Sequence, residues 1–185
     1  MGDRVRLATF AIRALLALLA VAALGASARP AAAQITFGSP NDPAHVALGL
    51  GAFDITPSNS HKDAQTAAEG SVEYRFGDVA WIFAPFVGGS VTGNGAFYGY
   101  GGFGFDVNFG QNWVLTPDGA AGYFERGTGT KLGSWWEFRT GAEFAYRFSD
   151  MSRLGLSVHH TSNAGLTKLN PGEQSAEIVY SVPMH

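Results

Sequence analysis

From Trp136 to Phe148 the chain alternates. The even positions run Trp136, Phe138, Thr140, Ala142, Phe144, Tyr146, Phe148, and the odd positions between them carry Glu137, Arg139, Glu143 and Arg147. Successive side chains of a strand point to opposite faces, so this segment predicts a strand with one greasy and one charged face. It is much longer than the ~5–6 residues of an ordinary strand. The same period places Val72, Tyr74 and Phe76 opposite Glu73 and Arg75. It sets Leu154, Leu156 and Val158 against Arg153, Ser157 and His159, and Ile178, Tyr180 and Val182 against Glu177 and Ser181. Eight strands are predicted, at 45–55, 69–77, 79–89, 95–107, 111–125, 134–148, 152–162 and 173–182, with Pro85 and Pro117 interrupting the third and fifth.

The breaks between these strands alternate in length. Those at Gly77-Asp78, 108–110 and 149–151 are tight, whereas 56–68, 90–94, 126–133 and 163–172 are longer and polar. Short periplasmic turns and long extracellular loops are the habit of outer-membrane barrels. The expected fold is therefore all-β: an eight-stranded antiparallel transmembrane β-barrel over residues 34–185, in the outer membrane of a Gram-negative bacterium. With residues 34–44 in the periplasm, every tight turn falls on that side. Glu73, Glu137, Glu143 and Glu177 then meet Arg75, Arg139, Arg147 and Arg153 inside a barrel narrow enough for side chains to fill. A plugged interior is expected, not a pore. Lys62, Arg126, Lys131 and Lys168 fall in the outer loops.

Residues 1–33 belong to another pattern. Arg4, Arg6 and Arg13 precede an apolar run from Ala14 to Leu24, and Ala31-Ala32-Ala33 offers a small-residue cleavage site. This is a cleavable signal peptide, too short in its apolar part to span a core that needs about 20 helical residues. Its removal takes away four Arg and one Asp, moving the net charge from −3 to −6. An acidic mature chain gives no support for a nucleic-acid partner. The chain has no Cys, which excludes a disulfide framework, a thiolate metal site and a cysteine nucleophile.

Chemistry concentrates at the end of the seventh strand, in His159-His160-Thr161-Ser162-Asn163-Ala164-Gly165. His160 and Ser162 are two apart and share a face, so imidazole can take a hydroxyl proton while the oxygen attacks a carbonyl. That spacing alone is weakly specific. The face is more telling, because it is the one that carries Leu154, Leu156 and Val158 toward lipid. Ionisable groups against hydrocarbon are costly and by default functional. Nine residues at ~3.3 Å, tilted about 45°, lift Ser162 roughly 21 Å above Arg153, near the outer leaflet. A lipid ester can reach the pair sideways from the membrane.

His160-Thr161-Ser162-Asn163-Ala164-Gly165, followed by Asn170-Pro171-Gly172-Glu173 and a last strand, resembles the lipid A 3-O-deacylases of the PagL type. The resemblance covers about 25 C-terminal residues in motif and the remainder in architecture. It implies an esterase that removes the 3-O-linked acyl chain of lipid A without a cofactor or metal, with a catalytic triad on the lipid-facing wall. Ser162 then resembles the nucleophile, His160 the general base, and Asn163 with the Gly165 N–H the oxyanion hole. The family's Glu falls where this chain has Gln174. Glu173 is the expected orienter of His160, since a carboxylate stabilises the imidazolium and a loop or bulge at 170–174 can rotate it toward His160. Gln174 is the alternative, acting through its neutral carbonyl as Asn does in papain-like sites.

The expected partners are the outer membrane and lipopolysaccharide as substrate, its phosphates contacted by Lys62, Arg126, Lys131 and Lys168, with a homodimer as a further option. Two alternatives stand beside the deacylase: a structural or adhesin-like barrel, and a phospholipase using the same dyad. Gly99–Gly104 fits G-x-G-x-x-G but lacks a following helix, so glycine in a narrow strand is the better reading. His159 is predicted to face the lumen as a hydrogen-bond partner, and Trp81, Trp113, Trp135 and Trp136 to form interface girdles.

Overall fold

The computed structural model describes residues 34–39, 41–57, 65–77 and 81–184. The leader at 1–33, Lys62 and His185 lie outside them. Eight long strands form the wall: β2 (His45–Phe53), β3 (Ala67–Arg75), β4 (Phe83–Thr92), β5 (Phe97–Phe105), β7 (Trp113–Glu125), β8 (Trp136–Arg147), β9 (Arg153–Ser162) and β10 (Glu173–Pro183). Each pairs antiparallel with its neighbour, and β10 pairs with β2 from Ala176↔Ala52 to Pro183↔His45, closing the barrel. Closure leaves no edge, the condition a sheet must meet in hydrocarbon. Two three-residue strands were not anticipated: β1 (Ile35–Phe37) pairs with β6 (Val107–Phe109) at the periplasmic end. They are too short for a period of two to register.

Both prolines are accommodated at places where a ladder partner is missing. Pro85 ends the β3–β4 pairing, whose last pair is Arg75↔Phe86. Pro117 faces the break at Asp106 between β5 and β6, where β7 passes from one partner to the other. The outer connection after β4 differs from expectation. β4 runs on to Thr92, and residues 93–96 make a tight turn in which Thr92 N–H donates to Ala96 O at 3.0 Å and Gly95 sits at φ +82°. The strand persists because Val91 still faces outward, 58% exposed to lipid.

The lumen is filled by two kinds of contact. Toward the outer end Phe53, Tyr98, Phe124 and Leu132 form an apolar cap, with Phe53 and Phe124 stacked at 6.1 Å. Below it Arg139 donates to Glu73 at 2.8 Å and lies 4.1 Å from the Tyr100 ring, while Arg75 bridges Glu73 and Glu143 at 2.9 and 2.8 Å. The expected partition of charges needs correction. Arg147 and Arg153 pair with Asp42 and Asp106, and Glu137 and Glu177 have no ion-pair partner among the described residues. Asp42 precedes the first predicted strand, and Asp106 sits in the break between β5 and β6 that splits the predicted strand 95–107. His159 faces inward as predicted, its Nε2 3.0 Å from Asp118 Oδ2. Trp81 and Trp113 are exposed at the periplasmic end, Trp135 and Trp136 at the outer end.

Candidate active site on the outer wall

β9 carries two sets of side chains. Arg153, Ser157, His159 and Thr161 are buried in the lumen, while Leu154, Leu156, Val158 and His160 look outward. Ser162 continues the outward set at the last position of the strand, half-buried. Register fixes the neighbours. Across β8, Thr140 pairs with His160 and Phe138 with Ser162; across β10, Gln174 pairs with His160 and Glu173 with Thr161. The outward patch around the pair is apolar, with Phe138, Val158 and Ile178 all exposed.

This register sets the two candidate orienters on opposite faces. Gln174 lies directly opposite His160 on the same face, and its amide Nε2 is 3.1 Å from His160 Nδ1. Glu173, the expected orienter, points the other way. It is buried in the lumen at 1% exposure, accepting from the Asp54 N–H at 3.3 Å. No bulge reverses the faces, because β10 keeps an unbroken register from Glu173 onward. A one-residue step on a strand flips the side, and that rule outweighs the better chemistry of a carboxylate. Beneath the site Thr130 Oγ1 donates to Asp54 Oδ2 at 2.6 Å; burial pushes the Asp54 carboxyl up, and this bond only partly offsets it.

The loop between β9 and β10 holds the imidazole from the other side. Gly172 sits at φ +67°, and a Cβ built there would lie 2.6 Å from His160 Cε1. Glycine is thus required twice, for its conformation and for room for the ring. With Nδ1 facing Gln174, the nitrogen left for Ser162 is Nε2.

Asn163 and Gly165 are placed differently from expectation. Asn163 is fully buried, and its Nδ2 donates to Leu132 O, Leu169 O and Thr167 Oγ1 at 2.9, 2.7 and 3.0 Å. Gly165 N–H donates to Asn163 Oδ1 at 3.0 Å. Both expected oxyanion donors are therefore engaged within the loop, where Asn163 acts as its internal brace. Of the basic residues, Arg126 and Lys131 line a cavity of about 490 Å³ at the outer rim, together with Phe124, Leu132, Trp135 and Trp136. Trp136 stands two residues outward of Phe138, the partner of Ser162, on the same face of β8, so one edge of the cavity continues the strand that flanks Ser162. Lys168 is exposed in the 163–172 loop, outside that cavity.

Residues 58–183 match the family model of the lipid A 3-O-deacylases (PagL). The solved structure of the outer membrane enzyme PagL superposes with a TM-score of 0.61 at 16% identity, covering 76% of this chain and 99% of that one. A de novo designed transmembrane β-barrel superposes with a TM-score of 0.51, also at 16% identity, covering 80% of this chain and all of that one. No curated protein sequence matches.

Proposed function

Because the chain belongs to the lipid A 3-O-deacylase family and is an outer-membrane barrel, we propose that Ser162 and His160 hydrolyse the 3-O-linked acyl ester of lipid A from within the outer leaflet. One observation carries the reading: a histidine and a serine share the lipid-facing side of one strand end, with a hydrogen-bonding side chain opposite the imidazole. Nothing about barrel stability calls for these groups on an apolar wall.

The chemistry follows from the atoms available. Ser162 Oγ forms a bond to the ester carbonyl carbon as its proton passes to His160 Nε2. Collapse of the tetrahedral intermediate breaks the bond to the sugar oxygen, which takes that proton and leaves as the hydroxyl. Water then attacks the acyl-enzyme with His160 again as base, freeing the fatty acid. Gln174 orients the ring, and its carbonyl oxygen can face the imidazolium. The Gly165 N–H serves the oxyanion when the developing charge outcompetes Asn163 Oδ1, consistent with catalytic hydrogen bonds that tighten only in the complex. Arg126 and Lys131 suit the phosphates of the headgroup, and the indoles of Trp135 and Trp136 suit its interfacial depth.

The test is the product. Purified protein in mixed micelles of lipopolysaccharide and phospholipid is expected to remove one ester-linked chain from lipid A and leave the phospholipid intact by mass spectrometry. Lysophospholipid in place of shortened lipid A would assign the site to a phospholipase. Unchanged lipids of both kinds would leave a barrel without enzymatic function.

A further inference from the structure

Gln174 touches more than His160. The far end of its amide, Oε1, accepts from Thr56 Oγ1, a residue from the opposite end of the sequence. Thr56 is held there by a short built segment after β2. Asp54 turns the chain at φ +51° and donates its N–H to Glu173 Oε2 at 3.3 Å. Ile55 N–H donates to the backbone carbonyl of Gln174 at 2.8 Å, and Thr66 Oγ1 donates to Asp54 O at 2.8 Å. The segment is thereby fastened to the first two residues of β10, one of which is the orienter.

An amide differs from a carboxylate in that its two ends are unlike. With Nε2 of Gln174 donating to Nδ1, that nitrogen is the unprotonated one and the ring proton sits on His160 Nε2. The nitrogen meant to accept from Ser162 is then already occupied. A half-turn of the amide reverses this. Oε1 accepts from Nδ1–H, the Nε2 lone pair of His160 becomes free, and the same oxygen faces the imidazolium once it forms. The half-turn also brings the Gln174 NH2 onto Thr56. A hydroxyl donates and accepts, so it satisfies either end, whereas an aliphatic side chain satisfies neither.

We propose that Thr56 is a positioning residue: its hydroxyl anchors the far end of the Gln174 amide in either orientation, and so keeps that amide against His160 Nδ1 while the ring changes tautomer. The inference rests on the Ser162–His160 reading. It gives a reason why this chain can use an amide at the orienting position. A carboxylate, with two equivalent acceptor oxygens, needs no such partner.

Full-length protein is compared with T56V, T56S, Q174E and the T56V/Q174E pair for kcat and KM on lipopolysaccharide, and by ¹⁵N-histidine NMR. T56V is expected to lower kcat about tenfold, the worth of one neutral hydrogen bond, with KM unchanged and T56S restoring the rate. In the Q174E background the same substitution is expected to change little. The Nδ1 signal of His160 is expected to lose its hydrogen-bonded shift in T56V, as the unanchored amide leaves the ring. Equal losses in both backgrounds would assign Thr56 a merely structural role, and an unchanged rate or an unchanged Nδ1 signal in T56V would also overturn the proposal. If S162A turned over as fast as the native chain, the nucleophile reading would fall while the Nδ1 signal still judged Thr56.

Discussion

Replacing Gln174 with glutamate isolates what the orienting position contributes. The side chains are nearly isosteric, and the outward face at this position is set by the β9–β10 register, so the substitution alters charge with little change in shape. In the native chain a neutral amide lies 3.1 Å from His160 Nδ1. During attack the ring becomes an imidazolium, and a carboxylate in that place would interact with it across roughly 4 Å between charge centres. At an effective dielectric constant near 20 this is about 4 kcal/mol. His160 is exposed toward the outside, and screening there removes about half, leaving ~2 kcal/mol, or roughly thirtyfold in kcat. Q174E is therefore expected to be faster than the native protein, with KM little changed, since the added attraction exists only once the proton has moved. Initial rates of fatty-acid release from lipopolysaccharide in micelles, at low ionic strength and neutral pH, provide the assay. A Q174E rate equal to or below that of the native chain would refute the reasoning, because it would mean that the group opposite Nδ1 does not stabilise the transition state.

N163A removes the brace of the 163–172 loop, leaving the buried Leu132 carbonyl without its donor and Leu169 O with Thr167 Oγ1 alone, so it is expected to lower both the melting temperature and turnover; unaltered thermal melting by circular dichroism would contradict that. Reversing Arg126 and Lys131 together to glutamate is expected to raise KM for lipopolysaccharide several-fold with kcat retained, whereas an unchanged KM would remove the rim cavity from substrate binding. At the periplasmic end burial raises the Asp106 pKa, but Arg153 and three side-chain hydrogen bonds outweigh it and hold the carboxyl at about 2, below its ordinary 3.8. A depressed value stabilises the fold above about pH 4 and loses that effect as pH falls through 2, so D106N is expected to melt several degrees lower at pH 7 and to converge with the native barrel toward pH 2. A gap that persists at pH 2 would show that the loss is one of packing.

The wall of this barrel was legible because burial on one face and lipid on the other enforce a strict period of two. The same parity placed His160 and Ser162 outward and His159 inward, as the strand has them. Glu173 was expected beside His160 because carboxylate chemistry was set above that parity; the strand turns it into the lumen, and Gln174 is the residue in phase with His160. Asp42, which takes Arg147 and Arg153, precedes the first predicted strand and has no alternation to give it a face; Asp106, their other partner, closes the predicted 95–107 strand just where the ladder breaks between β5 and β6. The tight turn at 93–96 was hidden by polar residues that suit a long loop as well as a short one. Asn163 illustrates a further limit. Its place in the motif suggests an oxyanion donor, but only the folded loop brings Leu132 O and Leu169 O to its amide. Thr56 lies 118 residues from Gln174, and only barrel closure through the β10–β2 pairing joins them.

The central claim is that a serine on the lipid-facing wall is the attacking group. A long-chain alkyl fluorophosphonate offers that serine a phosphorus centre shaped like the tetrahedral intermediate; Oγ displaces fluoride and remains bonded. Peptide mapping after exposure of the protein in outer membranes is expected to find one phosphonyl adduct, on Ser162, formed at a rate that collapses in H160A. An adduct on another residue, or full deacylation persisting with Ser162 capped, would contradict the account.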